Sequence, residues 1–244
     1  NISQRFTAEL ETEPWELYRR LRYLNPAPFA AFLRFPEVTI ASSSPERFLR
    51  VEGDQVETRP IKGTRPRGRT EAEDAALQEE LRCSEKDRAE LLMIIDLERN
   101  DLGRVCRTGS VKVPELFCLE SYATVFHQVS TVTGLLPEGK NIFDLLPAMF
   151  PGGSITGAPK IRSMEIIEEL EPVRRNIYTG SLGYIDFAGR VDLNIVIRTF
   201  VLKEGRAYFQ VGGGIVAGAR PEWEYQETLD KARVLLGALG VKEE

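Results

Sequence analysis

A chain of 244 residues, 42% hydrophobic and 28% charged, has room for one large domain or two modest ones and the composition of an ordinary globular protein. Its formal net charge of −5 argues against a general nucleic-acid binder, so a local basic cluster is expected to hold a small anion instead. Three cysteines, Cys83, Cys106 and Cys118, lack CxxC spacing; they indicate neither a disulfide framework nor a zinc site, and fit a reducing cytoplasm. Apolar runs such as LLMII are too short to cross a bilayer, and no signal peptide is recognisable, so neither membrane nor export is expected.

The polar, strand-like opening NISQRF lacks an initiating methionine, which suggests that the chain begins inside a larger protein. PWELYRRLRYLN predicts an amphipathic helix, with Pro14 suited to its start and Trp15, Leu17, Tyr18 and Leu21 on one face. Short strands are expected at FAAFLRF, VTIAS and RFLRVEG, each bounded by Pro, Ser, Gly or Asp. Two helices follow, EAEDAALQEELR and EKDRAELLMIIDLERNDLG, the second expected to stop at Gly103. Residues 111–136 are rich in Val, Thr, Tyr and Phe and read as long strands. NIFDLLPAM reads as a short helix, and GAPKIRSMEIIEELE as a helix with Pro159 near its start. Residues 180–217 read as a meander of three strands, and PEWEYQETLDKARVLLGAL as a closing helix. Strands and helices interleave without regular βαβ spacing, which predicts an α+β fold with large antiparallel sheets over one domain, 1–244.

The run RPIKGTRPRG, residues 59–68, brackets Lys62 between Pro60 and Gly63, so the backbone is expected to be turned or bulged there. Arg59, Arg65, Arg67 and Arg69 surround the lysine in sequence; like charge disfavours a protonated amine, which is one recipe for a nucleophilic lysine. A solvated basic loop is the plainer reading. Glu224 and Glu227, three apart, share a helix face with Lys231, and Asp87 and Glu90 repeat the spacing. Such pairs are usually exposed; brought together by folding they would suit a hard cation such as Mg²⁺. FPGGSITGAPK, a glycine-rich turn before a helix, can present N–H groups and a hydroxyl to an anion, and QVGGGIVAG signals a bulge or a close approach of backbone to a ligand. A tight turn is the plainer reading of each, and neither matches a nucleotide-binding motif. Arg198 lies in an apolar run and needs a partner if buried, for which a carboxylate ligand would serve. His127, the only histidine, leaves little material for a Ser-His-Asp triad or a histidine zinc site.

The segments SPERF, RPIKGTRPRG, EKDRAELLMIIDLERNDLGRVC, FPGGSITGAPKIRSMEIIEELEP, YTGSLGYI, LNIVIRT and VGGGIVAGARPEWEYQETLDKA closely resemble, in order and over nearly the whole chain, the chorismate-binding enzyme family. Its members include the anthranilate, isochorismate, salicylate and aminodeoxychorismate synthases. The resemblance implies large, mostly antiparallel sheets forming a sandwich with helices outside, and a domain incomplete at its N-terminus. A lysine in PIKGT, where anthranilate synthases normally carry alanine, is similar to the branch that aminates chorismate at C4 on the route to 4-aminobenzoate and folate, a transferase reaction.

Carried over residue by residue, the resemblance makes Lys62 the nucleophile at C2 of the chorismate ring and Glu46 the acid that protonates the departing C4 hydroxyl. It makes Glu90 and Glu227 direct ligands of Mg²⁺, with Asp87 and Glu224 reaching the metal directly or through water. Arg198 and Tyr178 would bind the enolpyruvyl carboxylate, helped by backbone near Gly212 and Gly213. Ser154 and His127 would line the ring pocket, and Lys231 would sit near the metal-bound carboxylate. Asp87 departs from the glutamate expected there, shortening the reach by one methylene. Chorismate, ammonia and a glutamine amidotransferase subunit are the implied partners, with no nucleic acid or membrane among them. Anthranilate synthase component I, a non-catalytic chorismate-binding fragment and a Schiff-base lysine enzyme are the rival readings.

Overall fold

The computed structural model describes residues 1–241. In chain order the elements begin β1 (Ile2–Glu9), α1 (Pro14–Leu24), β2 (Phe29–Arg34), β3 (Thr39–Ser44), β4 (Arg47–Glu52), β5 (Gln55–Arg59) and β6 (Ile61–Pro66). They continue α2 (Glu71–Cys83), α3 (Glu85–Gly103), β7 (Lys112–Ser121), β8 (Val125–Leu135), α4 (Ile142–Met149) and, after a 3₁₀ turn at Gly153–Ile155, α5 (Lys160–Leu170). The last are β9 (Gly183–Ile185), β10 (Val191–Asn194), β11 (Thr199–Lys203), β12 (Arg206–Gly213) and α6 (Pro221–Leu239). The fold is α+β, laid out as two compact units, each discontinuous in sequence: Asn1–Glu46, Ile155–Leu182 and Asn194–Glu244 form the first, and Arg47–Ser154 with Gly183–Leu193 the second.

The first unit is built on a five-stranded sheet in the order β1-β12-β11-β3-β2, with antiparallel pairings throughout. Helices α1 and α6 cover it. Leu17, Tyr18 and Leu21 recur at helical spacing on α1 and Ala232, Leu235 and Ala238 on α6, and together they enclose Phe200, Leu202, Phe209 and Val211 of the sheet. Pro14 opens α1, where its missing N–H costs nothing, and Gly240 closes α6 in the left-handed region at φ 84°.

The second unit holds a seven-stranded sheet ordered β6-β8-β5-β4-β10-β9, with β7 also on β8. Strand β8 organises it: β7 runs along one edge, while the other edge is shared end to end by β6 and β5. Those two are nearly one strand, interrupted at Pro60, which has no N–H to give the ladder; its carbonyl still accepts from the Ser130 N–H at 3.3 Å. Thr70 and Ser84 cap α2 and α3 through their hydroxyls, and Asn141 with Asp144 forms a capping box on α4.

One expectation changes. Residues 180–217 contribute four strands rather than a three-stranded meander, divided between the two sheets: β9 and β10 belong to one, β11 and β12 to the other. The non-strand segment 195–198, which ends at Arg198 with φ 51°, breaks the run where an apolar pattern alone reads continuous. Helix α3 does end at Gly103, but its following residue Arg104 stays right-handed (φ −75°, ψ −21°), so no left-handed glycine cap is used.

Phe200, fully buried and edge-on to Phe209 (centroids 5.4 Å apart, planes at 81°), tests the first unit's core. Phe200→Ala is expected to cost about 3–5 kcal/mol in urea denaturation, by lost transfer energy plus the cavity left behind; a loss under about 1 kcal/mol contradicts this packing.

Candidate active site

In the second unit the decisive feature is a bulge. The register of β6 against β8 shifts between Ile61 and Thr64, so Lys62 and Gly63 stand outside the regular ladder. Gly63 has φ +78°, and a Cβ there would lie 2.7 Å from Leu81 Cδ1 and 2.9 Å from Asp87 Cγ. Glycine is thus required twice over, and the bulge presents Lys62 half-buried. The arginines nearby are not a crowd of bare charges. Arg59 pairs with Glu120 at 2.7 Å and Glu115 at 3.4 Å, Arg65 with Glu80 at 2.7 Å and Asp87 at 3.3 Å, and Arg67 with Asp74 at 2.5 Å. Lys62, by contrast, has no carboxylate partner among the described residues; its amine makes one long contact, 3.4 Å to the carbonyl of Ser154. Ser154 is buried in the 3₁₀ turn of the glycine-rich segment.

His127, on β8, is buried, with Nδ1 2.9 Å from Thr64 Oγ1 and its ring edge-on to Tyr122 at 5.4 Å. Thr64 and Tyr122 went unrecognised in the sequence, although Thr64 sits within PIKGT. Tyr122 donates to Glu120 at 2.7 Å, and burial together with that carboxylate pushes its phenol up to about 12. Asp87 and Glu90 lie on α3 three residues apart. Asp87 is tied to Arg65, and Glu90, largely buried, has Lys86 at 3.8 Å. The same helix buries Glu98 and Asp101, and Thr58 donates to Glu98 at 3.1 Å. Their place at helical spacing beyond Ile94 and Ile95 was the available signal, since a carboxylate on an apolar stripe is unusual.

In the first unit, Arg198 and Tyr178 come together. The backbone of Arg198 is left-handed, uncommon for a residue with a Cβ. Its Nη1 donates to the Lys231 carbonyl at 2.6 Å, and the rest of its guanidinium has no hydrogen-bond partner among the described residues. Burial holds its pKa below the ordinary value, partly offset by the nearby Tyr178. Tyr178 is 8% exposed, its hydroxyl has no partner among the described residues, and burial pushes its pKa up to about 12. Two adjacent donors, sheltered and not fully used, suit an incoming carboxylate.

Lys231 bridges Glu227 Oε1 at 2.5 Å and the Gly212 carbonyl at 2.9 Å. A Cβ on Gly213 would lie 3.6 Å from Glu224 Oε2, 3.8 Å from Glu227 Oε1 and 4.0 Å from Lys231 Nζ, so this backbone runs beside both carboxylates. A Cβ on Gly212 would come 2.6 Å from the Ile2 carbonyl, which is why the β1–β12 approach needs glycine there. Glu46 is buried just after β3, and its carbonyl accepts from Ile195 N–H at 3.0 Å. No group of three or more His, Cys, Asp or Glu side chains is gathered as a metal cage among the described residues. Taken unit by unit, Asp87 and Glu90 on α3 and Glu224 and Glu227 on α6 offer carboxylate oxygens only, the donor type a hard cation takes, with Glu90 largely buried in the one and Glu224 buried in the other. A concavity of about 450 Å³ lined by Gln55, Arg107, Ser110, Lys112 and Thr133, among others, includes none of the expected site residues.

A family model described as chorismate binding enzyme matches residues 1–237. The chain is 54% identical over 239 residues to aminodeoxychorismate synthase component 1 of Salmonella typhimurium, covering 98% of this chain and 53% of that protein. It is 50% identical over 243 residues to anthranilate synthase component 1 of Aquifex aeolicus, covering 100% of this chain and 49% of that protein. The crystal structure of anthranilate synthase component I from Streptococcus pneumoniae superposes with a TM-score of 0.87 at 41% identity, over 96% of this chain and 52% of that one. The chain thus spans about half the length of the curated relatives it matches.

Gly63→Ala is expected to destabilise by about 1–3 kcal/mol in chemical denaturation, from backbone strain and the clash with Leu81 and Asp87; an unchanged midpoint would show that the bulge tolerates a side chain. Absorbance titration at 295 nm provides a second check. Tyr122 and Tyr178 should ionise near 12, and Tyr178→Phe should remove one of these two steps. Because both folded values lie above the ordinary phenol value of about 10, their contribution to stability is intact below that pH and is lost as pH rises through about 12.

Proposed function

The chain belongs to the chorismate binding enzyme family, and on that premise we propose that it replaces the C4 hydroxyl of chorismate with an amino group, yielding 4-amino-4-deoxychorismate for the 4-aminobenzoate and folate route. The observation that carries this reading is Lys62: a half-buried amine on a glycine-dependent bulge, without a carboxylate partner among the described residues, in a run whose arginines at 59, 65 and 67 are all ion-paired. A lysine so placed is available for covalent chemistry rather than for holding the fold together.

In the proposed reaction the Lys62 amine bonds to C2 of the ring, the double bonds shift, and the C4 hydroxyl leaves as water with a proton from the buried Glu46 carboxyl. Ammonia then adds at C4, the double bonds return, and the C2–lysine bond breaks. Chorismate and ammonia are consumed; the aminated ring and water are released. Arg198 and Tyr178 bind the enolpyruvyl carboxylate through their unmet donors, Gly212 and Gly213 bring backbone alongside, and Ser154 and His127 border the ring. The carboxylates of Glu90 and Glu227, with Asp87 and Glu224, are the proposed holders of Mg²⁺, which supplies positive charge against the ring carboxylate. Lys231 keeps Glu227 oriented. Ammonia is proposed to come from a glutamine amidotransferase subunit, in keeping with relatives named as component 1, in a cytoplasmic setting; no helix among the described residues is long and apolar enough to cross a membrane.

The similarity to the Aquifex aeolicus protein favours a second reading, amination at C2 with loss of pyruvate. Lys62 speaks against it, because the lysine would occupy the position from which ammonia must approach C2.

Intact-protein mass spectrometry with chorismate and Mg²⁺ but no ammonia is expected to show an adduct that peptide mapping places on Lys62 and that Lys62→Ala abolishes. With ammonium added, 4-amino-4-deoxychorismate should form; with glutamine it should form only when the amidotransferase subunit is present. Anthranilate and pyruvate produced without any added lyase would overturn the assignment in favour of the second reading.

A further inference from the structure

Tyr178 has a neighbour that no expectation from sequence assigned. Arg175 lies three residues before it, beyond the C-terminal end of α5, and is used on every side. Its Nε donates to Glu171 Oε2 at 2.9 Å and its Nη2 to Glu171 Oε1 at 2.6 Å, a bidentate fork with side chains only 12% and 3% exposed. Its Nη1 donates to the Ile155 carbonyl at 2.8 Å, and Nη2 also reaches the Asn1 carbonyl at 2.8 Å. Glu171 in turn accepts from both the N–H and the hydroxyl of Ser3, each at 2.8 Å. One guanidinium therefore ties together the start of β1, the end of the glycine-rich turn and the end of α5. Its Cζ lies over the Tyr178 ring, 5.7 Å from the centroid, and the Tyr178 N–H donates to the Arg175 carbonyl at 3.0 Å.

This neighbourhood matters because the backbone around Tyr178 is held in an unfavourable shape. Asn176 and Thr179 both have positive φ, 51° and 63°, so the tyrosine sits between two left-handed residues, a conformation that surrounding contacts must maintain. Its hydroxyl contributes nothing to that, having no partner among the described residues, so the ring is oriented by packing and by the cation at its face.

We propose that Arg175 is a positioning residue: through the Glu171 fork it fixes the ring of Tyr178 so that the hydroxyl stands ready beside Arg198 to receive a substrate carboxylate. Arg175 itself does not bind the substrate, since four of its five N–H groups are committed to protein acceptors. Lysine cannot replace it, because a single ammonium cannot hold a bidentate carboxylate and two carbonyls in one plane. The functional half of this inference rests on the carboxylate role proposed for Tyr178 and Arg198.

The test uses the full chain with 3-fluorotyrosine incorporated, the Tyr178 fluorine resonance being identified by its absence in Tyr178→Phe, together with calorimetric titration of chorismate in the presence of Mg²⁺. Arg175→Met is expected to shift or broaden the Tyr178 resonance and to weaken chorismate binding about tenfold, with Arg175→Lys giving nearly the same loss. Glu171→Gln, which leaves the guanidinium but loosens its fork, should move the same resonance in the same sense and covers the case in which Arg175→Met does not fold. A Tyr178 resonance unmoved in the folded variants overturns the positioning role. If the resonance moves while chorismate affinity is unchanged, the functional half is overturned. If Tyr178→Phe and the unaltered chain bind chorismate equally, or neither binds it, the carboxylate reading of Tyr178 fails by itself, and the resonance still decides whether Arg175 orients the ring.

Discussion

The arrangement of charge around the β6 bulge is the constraint on which the candidate chemistry depends. Arg59 at the end of β5, Arg65 on β6 and Arg67 just beyond it lie near Glu80, Asp87, Asp74, Glu115 and Glu120, and each guanidinium meets a carboxylate within 3.4 Å. Lys62 escapes this pairing because the bulge takes it out of the ladder at the one point where Gly63 permits a left-handed backbone against Leu81 and Asp87. A small defect in sheet geometry thus separates one amine from its basic neighbours.

The strand β8 supplies the frame for that defect. A long, buried strand can be paired on one edge by β7 and on the other by two consecutive segments, and the break between those segments falls at Pro60. Proline ends the regular ladder just before the bulge, and the sheet resumes at Thr64, whose hydroxyl meets His127. Backbone interruption and side-chain placement are therefore one structural event.

The other unit solves a different problem, that of holding a cation and a phenol away from water without consuming their donors. Arg198 gives one N–H to a carbonyl and stands in a left-handed backbone at the end of a non-strand segment. Tyr178 stands between two more left-handed residues and is braced by Arg175. Such burial and strain persist only where neighbouring structure enforces them; for Arg198 the tie is to α6 through the Lys231 carbonyl, and for Tyr178 it is to Arg175.

The amino-acid sequence by itself determined the element types, the α+β class and the family. Periodicity places the apolar stripes of α1 and α6, Pro14 and Pro159 mark helix starts, and Pro60 with Gly63 announces a departure from a plain strand; all of these are local effects, carried by residues within a few positions of one another. Only the tertiary structure decided that residues 180–217 serve two sheets, that Arg59, Arg65 and Arg67 near Lys62 are ion-paired, that Glu98 and Asp101 are buried on the apolar side of α3, and that Arg175 braces Tyr178. Those depend on partners far away in the chain, as Arg175 does on Asn1 and Arg59 on Glu120. Whether a charge is solvated, paired or left with donors to spare is a property of the surroundings that folding assembles, and no short window of residues contains it.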